Sequence, residues 1–501
     1  MANKYKQFVV ALAVWSVATL NYAIMPSNGY VQPGAQAVGV IVKMRNDPTP
    51  LAIANAGGQP RLSTQTVAEM SVVAAANLTF KRTASLGTQI LNFSQTMSVA
   101  DAQAIADRLM TMADVEYATP NVIIKPMLSP NDPRFTDGTQ WALNGAIAGA
   151  NLPTAWDTTT GSNTVPIAII DTGYTNHSDL PYTNFATDGY DFISDPVAAG
   201  DSDGRDSNAR DEGDYCTTDP SSWHGTAVMS IIGAITNNNS LMAGVNWHAK
   251  LIPVRILGRC GGTLGDLIDA IRWSAGLSVA GVPANANPAK VINMSLGATT
   301  ACDSLTQAAI DDAHATGAVV IAAAGNEALP ASTSNPANCN HVMAIASHDL
   351  SGDISYFSNY GDKVDLSAPG EAIYIATCSS TTTYNCDNSA AVAIESGTSL
   401  SAPMVTGVAS LLFAVNGSLN NFYAEEVLRN STRGFVTNSG CIGLCGSGML
   451  DAGAAVALMN NFVAPATQIE ISKDSGGDVL LVFWLALALL VFGYRRLNRC
   501  V

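Results

Sequence analysis

Between residues 165 and 346 the chain repeats one pattern: a short, almost unbroken apolar run, a polar bend, then a helical stripe. The runs fall at 165–170, 251–257, 291–294, 319–323 and 342–346, with Pro166 near the start of the first. A strand with one wet face alternates apolar and polar residues, whereas a strand covered on both faces does not need to. Between the runs, Leu264, Leu267, Ile268 and Ile271 recur at helical spacing, and Leu305, Ala308, Ala309 and Ala313 mark another helix. The pattern predicts an α/β fold, a parallel sheet covered by helices on both faces. In such sheets, ligands and reactive groups gather beyond the carboxyl ends of the strands.

The 501 residues allow roughly two to four domains. Only 13% are charged and the net charge is −16, which argues against a nucleic-acid partner. Both ends read as addresses. Lys4 and Lys6 precede an apolar stretch at 8–20, the layout of a signal peptide over 1–23, with cleavage expected after Ala23. At the other end a linker at 463–478 leads through Gly476-Gly477 into an apolar helix at 479–494, followed by Arg495, Arg496 and Arg499. Export makes disulfides expected among the nine cysteines. Cys378 with Cys386 and Cys441 with Cys445 are close enough in sequence to pair. Cys216, Cys260, Cys302 and Cys339 leave two longer bridges with open connectivity, and Cys500 is the odd one.

Residues 24–128 form a separate small α+β unit. A strand is expected at 38–44. Ser98 caps a helix with Asp101 three residues on, and further strands are expected at 115–117 and 122–124. This is a β–α–β pattern of ferredoxin-like type. A proline-rich junction at 125–132 separates it from the main unit at 129–462.

The main unit carries polar residues where its strands end. Asp171 follows the first run. His224 opens His224-Gly225-Thr226 before a helical stripe. Asn326 follows the run at 319–323, and Ser399 lies in Gly397-Thr398-Ser399 ahead of an apolar stretch at 404–414. Taken singly, the aspartate, histidine and serine each fit a turn, a core position or a helix cap. Together they are the types that one reaction needs. A serine hydroxyl is a weak nucleophile at neutral pH. An imidazole must take its proton, a carboxylate must orient that imidazole, and an amide N–H is needed for the oxyanion.

These motifs, with His177, Asp179-Leu180, Asn293-Met294-Ser295-Leu296-Gly297 and Ala402-Pro403, resemble the subtilisin-like serine peptidases over residues 130–460. Further stretches at 258–262 and 287–290 resemble secreted proteases of Gram-negative bacteria. The resemblance implies a triad of Asp171, His224 and Ser399, with Asn326 as oxyanion donor. Ser295, Leu296 and Gly297 would pair with the substrate backbone, and Ala324 and Gly325 would form the far wall of the side-chain pocket, with Ser334 at its base. It also makes the N-terminal unit a propeptide, both chaperone and inhibitor, cleaved by the enzyme near 125–129. The Gly-Gly tail resembles the GlyGly-CTERM sorting signal, which implies transient membrane insertion before release; a simple anchor is the alternative. Partners would be protein substrates and the propeptide, at the cell surface or outside it.

Three positions depart from the family pattern: Leu400 and Ser401 after the nucleophile, and Ala227 after His-Gly-Thr. The acidic segment 201–214 concentrates six carboxylates. Its partial EF-hand spacing is spoiled by Arg205 and by the lack of a terminal glutamate. Calcium in related proteases suggests a structural Ca²⁺ held by Asp201, Asp203, Asp206 and Asp214. The competing reading is a catalytically idle copy of the fold used as a surface binding module.

Overall fold

The computed structural model describes residues 36–45, 62–123, 128–182, 185, 189–386 and 388–460. The expectations for a leader, for the 463–478 linker and for a C-terminal apolar helix lie outside these residues, as does most of the 125–129 junction.

The N-terminal unit runs β1 (Gln36–Met44), α1 (Thr64–Ala74), β2 (Leu78–Thr83), β3 (Thr88–Ser98), α2 (Val99–Leu109) and β4 (Val115–Val122). Its antiparallel sheet has the order β2-β3-β1-β4, the ferredoxin-like arrangement. Ser98 Oγ accepts the Asp101 N–H at 3.1 Å and starts α2. Ala102, Ile105, Ala106 and Leu109 then face Val40, Val42 and Leu91 in one core. The two strands expected at 115–117 and 122–124 are one. β4 continues through Pro120 because it lies at the sheet edge, where a missing N–H is tolerated.

The main unit is built on β5 (Pro166–Asp171), β6 (Tyr190–Asp191), α3 (His224–Gly233), β7 (Lys250–Arg255), α4 (Leu264–Ser274), β8 (Val291–Met294), β9 (Ala298–Thr299), α5 (Ser304–Ala315), β10 (Val319–Ala323), β11 (Ser334–Asn335), β12 (Met343–His348), β13 (Val364–Pro369), β14 (Ile373–Ala376), β15 (Val392–Glu395), α6 (Thr398–Val415), α7 (Asn421–Asn430) and α8 (Ala452–Asn460). Seven strands form a parallel sheet in the order β13-β12-β10-β8-β5-β7-β6. Both faces are dry, which explains the unbroken apolar runs. Ala168, Ile170, Ile252, Val254, Ile292 and Met294 pack on one face with Leu267 and Ile271 of α4 and Ile310 and Ala313 of α5. The alternate residues face α3 and α6, and Asn293 meets Thr406 of α6 there at 2.9 Å. The stripes on α4 and α5 are narrower than the sequence suggests. Leu264 and Leu305, in the first helical turns, are 45% and 66% exposed, and Thr306 joins the buried stripe instead.

α6 is long and apolar enough to cross a membrane, but it is the central helix of this core, 83% buried. The cysteine pairing is settled as Cys216–Cys260, Cys302–Cys339, Cys378–Cys386 and Cys441–Cys445.

Strand order reverses around β5, with β8 on one side and β7 on the other. Asp171 therefore ends its strand at the topological switch point, where a crevice forms. Behind it lies a buried ion pair. Arg255, the last residue of β7, donates from Nη1 to Asp191 at 2.5 Å, from Nη2 to the Ala199 carbonyl at 2.6 Å, and from Nε to the Thr172 carbonyl at 3.2 Å. Both charged residues are fully buried. Burial pushes the Asp191 carboxyl up to about 7, against the pull of Arg255. Such a group binds its proton more tightly folded than unfolded, so its contribution favours the folded state below the unfolded pKa and is lost as pH rises toward 7. Arg255→Met should cost about 3–5 kcal/mol at pH 8 by leaving Asp191 charged and unpaired. Urea unfolding at pH 5.5 should show a smaller loss, because Asp191 is then protonated.

Candidate active site

Asp171 and His224 are joined by direct packing of two backbone segments. The first turn of α3 lands on Asp171-Thr172-Gly173: Thr172 Oγ1 accepts the Gly225 N–H at 2.9 Å. A Cβ on Gly225 would lie 2.1 Å from the Gly173 carbonyl oxygen, so only glycine permits this approach. Thr226 Oγ1 accepts the Thr175 N–H at 2.8 Å and fixes the same interface one turn on. His224, the first residue of α3, then presents Nδ1 to Asp171 at 2.8 and 3.0 Å from the two carboxylate oxygens. Asp171 is fully buried and its Oδ1 also accepts the Thr172 N–H at 2.8 Å. Burial works to lower the His224 pKa, but the Asp171 carboxylate, with Asp214 and Asp211, outweighs it and holds the imidazole above its ordinary value. The His224 imidazole is thus a stronger base than a free one, with Nδ1 engaged by Asp171.

Ser399 is the second residue of α6. Pro403 has no N–H to give the Ser399 carbonyl in the helical ladder. That carbonyl instead accepts from Ser295 Oγ at 2.8 Å, and Ser295 Oγ accepts from Asn293 Nδ2 at 2.9 Å. One hydrogen-bonded chain from Thr406 through Asn293 and Ser295 therefore anchors the serine to the end of β8.

Asn326 is held by its oxygen. Its Oδ1 accepts from the Thr398 N–H at 2.8 Å and from Thr398 Oγ1 at 2.9 Å, and Thr398 Oγ1 accepts the Gly325 N–H at 3.1 Å. With Oδ1 committed, the Nδ2 donor turns toward the serine. A Cβ built on Gly397 would lie 2.9 Å from Ser399 Oγ and 3.5 Å from Asn326 Nδ2, so both groups face one small volume. A nucleophile at a helix N-terminus, an amide donor aimed at the same space and a carboxylate-oriented imidazole are the parts of acyl transfer.

Beside them opens a pocket of about 110 Å³. Ser295, Leu296 and Gly297 line one side, and Ala323, Gly325, Asn326 and Ser334 the other. A Cβ on Gly297 would lie 2.9 Å from the Asn335 carbonyl and 3.4 Å from Ser334 Oγ, so Gly297 keeps the pocket open. Ala324 does not line it. Strand alternation turns its side chain away, into a core with Ala331, Ala346 and Val364. Sequence reasoning missed Glu327, which also lines the pocket and whose Oε2 accepts from Asn359 Nδ2 at 2.8 Å. The signal was its position directly after Asn326. It also missed Thr398, which lines the pocket and holds the Asn326 amide.

The departures from the family pattern are packing features. Leu400 is buried in the first turn of α6, and Ser401 Oγ donates to the Ala368 carbonyl at 3.0 Å. Ala227 is buried on α3.

The acidic segment expected to hold calcium is tied into the structure by hydrogen bonds and ion pairs. Asp201 raises the pKa of its neighbour Asp203, and Asp201 lies 3.6 Å from Arg255. Asp206 Oδ1 accepts the Asn208 N–H at 2.9 Å. Asp214 is spent elsewhere, accepting the Ser222 N–H at 2.7 Å and Ser222 Oγ at 2.6 Å just ahead of His224. Arg205 turns away to Asp266 and Asp269. Among the described residues, no group of three or more His, Cys, Asp or Glu side chains is arranged to hold a metal ion. Of the four expected ligands, Asp214 is committed at Ser222, whereas Asp206 joins Asp201 in raising the Asp203 carboxyl.

The sheet is of the α/β type, and its candidate residues follow in the chain order Asp171, His224, Ser399. A family model for the Subtilase family, peptidase S8, matches residues 162–448, and the chain belongs to that family. It is 42% identical over 392 residues to an extracellular protease of Xanthomonas campestris pv. campestris, covering 76% of this chain and 66% of that protein. It is 36% identical over 467 residues to an extracellular basic protease of Dichelobacter nodosus, covering 88% and 74%. The match thus spans just under two thirds of the Xanthomonas relative. A solved protease structure from Pseudoalteromonas arctica superposes with a TM-score of 0.63 at 43% identity, over 66% of this chain and 100% of that one.

Thr398→Val removes the side-chain donor to Asn326 Oδ1 while the backbone donor stays. Loss of one such hydrogen bond, about 1 kcal/mol, should lower kcat for peptide hydrolysis roughly fivefold. KM should change little, since an amide that receives an oxyanion would act only on charge of the transition state.

Proposed function

We propose that the protein is an exported serine endopeptidase that hydrolyses peptide bonds of protein substrates. The observation that carries this is the shared volume faced by Ser399 Oγ and Asn326 Nδ2, in a chain where Asp171 orients His224. His224 takes the Ser399 proton as the hydroxyl attacks the scissile carbonyl. Asp171 stabilises the imidazolium. Asn326 Nδ2 and a backbone N–H at the start of α6 receive the oxyanion. His224 then gives the proton to the leaving amine, and water repeats the cycle on the acyl-enzyme. Substrate lies extended beside Ser295–Gly297, where backbone pairing is largely indifferent to sequence and the pocket reads one side chain. The extracellular relatives and the four disulfides support work outside the cytoplasm.

On this reading the unit at 36–123 is an inhibitory propeptide cleaved by the enzyme itself near 125–129. The parallel sheet joins strands distant in sequence, which makes folding slow and gives a folding helper a purpose. The apolar stretch at 479–494 then serves sorting or anchorage. An idle binding module would have no use for an asparagine amide held with its donor toward a serine.

The test is the full chain against Ser399→Ala and Asn326→Ala. Wild type should lose its N-terminal unit and digest casein, and Ser399→Ala should do neither. Asn326→Ala should retain KM and lose about 10²–10³ in kcat. Casein digestion by Ser399→Ala at the wild-type rate would overturn the assignment.

A further inference from the structure

Trp223, the residue just before His224, is fully enclosed at 1% exposure. Its backbone is left-handed, φ 53° and ψ 32°, a conformation that a bulky residue keeps only where its surroundings enforce it. It is also the N-cap residue of α3, although its side chain caps nothing, and its carbonyl accepts the Ala227 N–H at 3.2 Å. The direction in which α3 begins, and hence where His224 points, follows from how Trp223 is held.

What holds it comes from far along the chain. Its ring packs on Cys378, Cys386 and Tyr384, and its Nε1–H donates to the Ser380 carbonyl at 2.7 Å. The Cys378–Cys386 disulfide closes this loop. The loop grips two arms. On the arm leading to His224, the Ser221 N–H donates to the Thr381 carbonyl at 2.9 Å, and Ser221 Oγ to that of Thr382. On the arm leaving Asp171, the Asn176 N–H meets Tyr384 Oη at 3.3 Å, and the Ser178 N–H donates to the Ser389 carbonyl at 2.8 Å. His177 Nε2 pairs with the Ala391 carbonyl at 2.9 Å on that same arm. The disulfide-closed loop, through Tyr384, and the residues just after it, Ser389 and Ala391, therefore bridge the two segments whose ends carry the carboxylate and the imidazole.

We propose that Trp223 is a positioning residue for catalysis, and that the Cys378–Cys386 loop acts through it to hold His224 in register with Asp171. This rests on the triad reading above. Neither Trp223 nor the loop touches the reacting atoms. Their effect falls on proton transfer, and substrate binding at Ser295–Gly297 is left alone.

The test uses Trp223→Ala, Trp223→Gly, Trp223→Phe and the double variant Cys378→Ser/Cys386→Ser in the full chain. Readouts are kcat and KM on a peptide p-nitroanilide, the rate of Ser399 labelling by diisopropyl fluorophosphate, and the acid limb of the pH–rate profile. Trp223→Ala should lower kcat and labelling about 10- to 100-fold, as a small misplacement of a catalytic group does, with KM within about twofold. The acid limb should move to lower pH, because the raised His224 pKa needs its contact with Asp171. Trp223→Phe, which keeps the ring stack, should recover most of the rate. Trp223→Gly accepts the left-handed backbone but loses the anchor, and should behave like Trp223→Ala. Should the alanine variant not fold, the phenylalanine and double-serine variants carry the same readouts.

Wild-type kcat and labelling in Trp223→Gly or in the double-serine variant would overturn the proposal. So would losses that vanish when assays run well below the melting temperature. His224→Ala is measured alongside. If it still labels at the wild-type rate, the triad reading fails and this inference with it. If it is inert while the Trp223 variants are fully active, only this inference fails.

Discussion

The hydrogen bond from Ser295 Oγ to the Ser399 carbonyl joins the two halves of the site. Pro403 makes it necessary by withholding the helical N–H that would otherwise satisfy that carbonyl. A buried carbonyl without a partner is costly, so α6 is stable only where β8 ends in a donor at this height. The same contact sets the serine beside the strand along which substrate would lie. Asn293 passes the constraint on to Thr406, about two turns into α6. Nucleophile position, pocket wall and core packing are thus one arrangement.

The carboxylate side is organised differently. Asp171 and His224 meet because α3 docks without a side chain between it and the Asp171-Thr172-Gly173 turn, at Gly225. Beneath that turn Arg255 and Asp191 are buried together, and around it the 378–391 loop reaches both flanking arms. The serine half is held by the core, and the imidazole half by loops and a disulfide.

Much of the fold was legible because its signals are local. Unbroken apolar runs follow from burial on both faces, and the i, i+3, i+4, i+7 stripes follow from helical geometry. The strand-end placement of Asp171 and Asn326 followed from those runs. The errors have equally physical origins. Leu264 and Leu305 fit a helical stripe but fall in first turns that project beyond the sheet. Ala324 sits in a pocket-forming segment, yet alternation points it inward.

From the sequence alone came the layer order, the family, and Asp171, His224, Asn326 and Ser399 as candidate site residues, because periodicity and motif order are properties of neighbouring residues. Only the tertiary structure decided which cysteines pair, what each acidic side chain touches, how Thr398 turns the Asn326 amide, and what holds Trp223 in a left-handed turn. Those depend on segments up to 170 residues apart arriving at one place, such as Trp223 and the Cys378–Cys386 loop, and no local pattern records such a meeting.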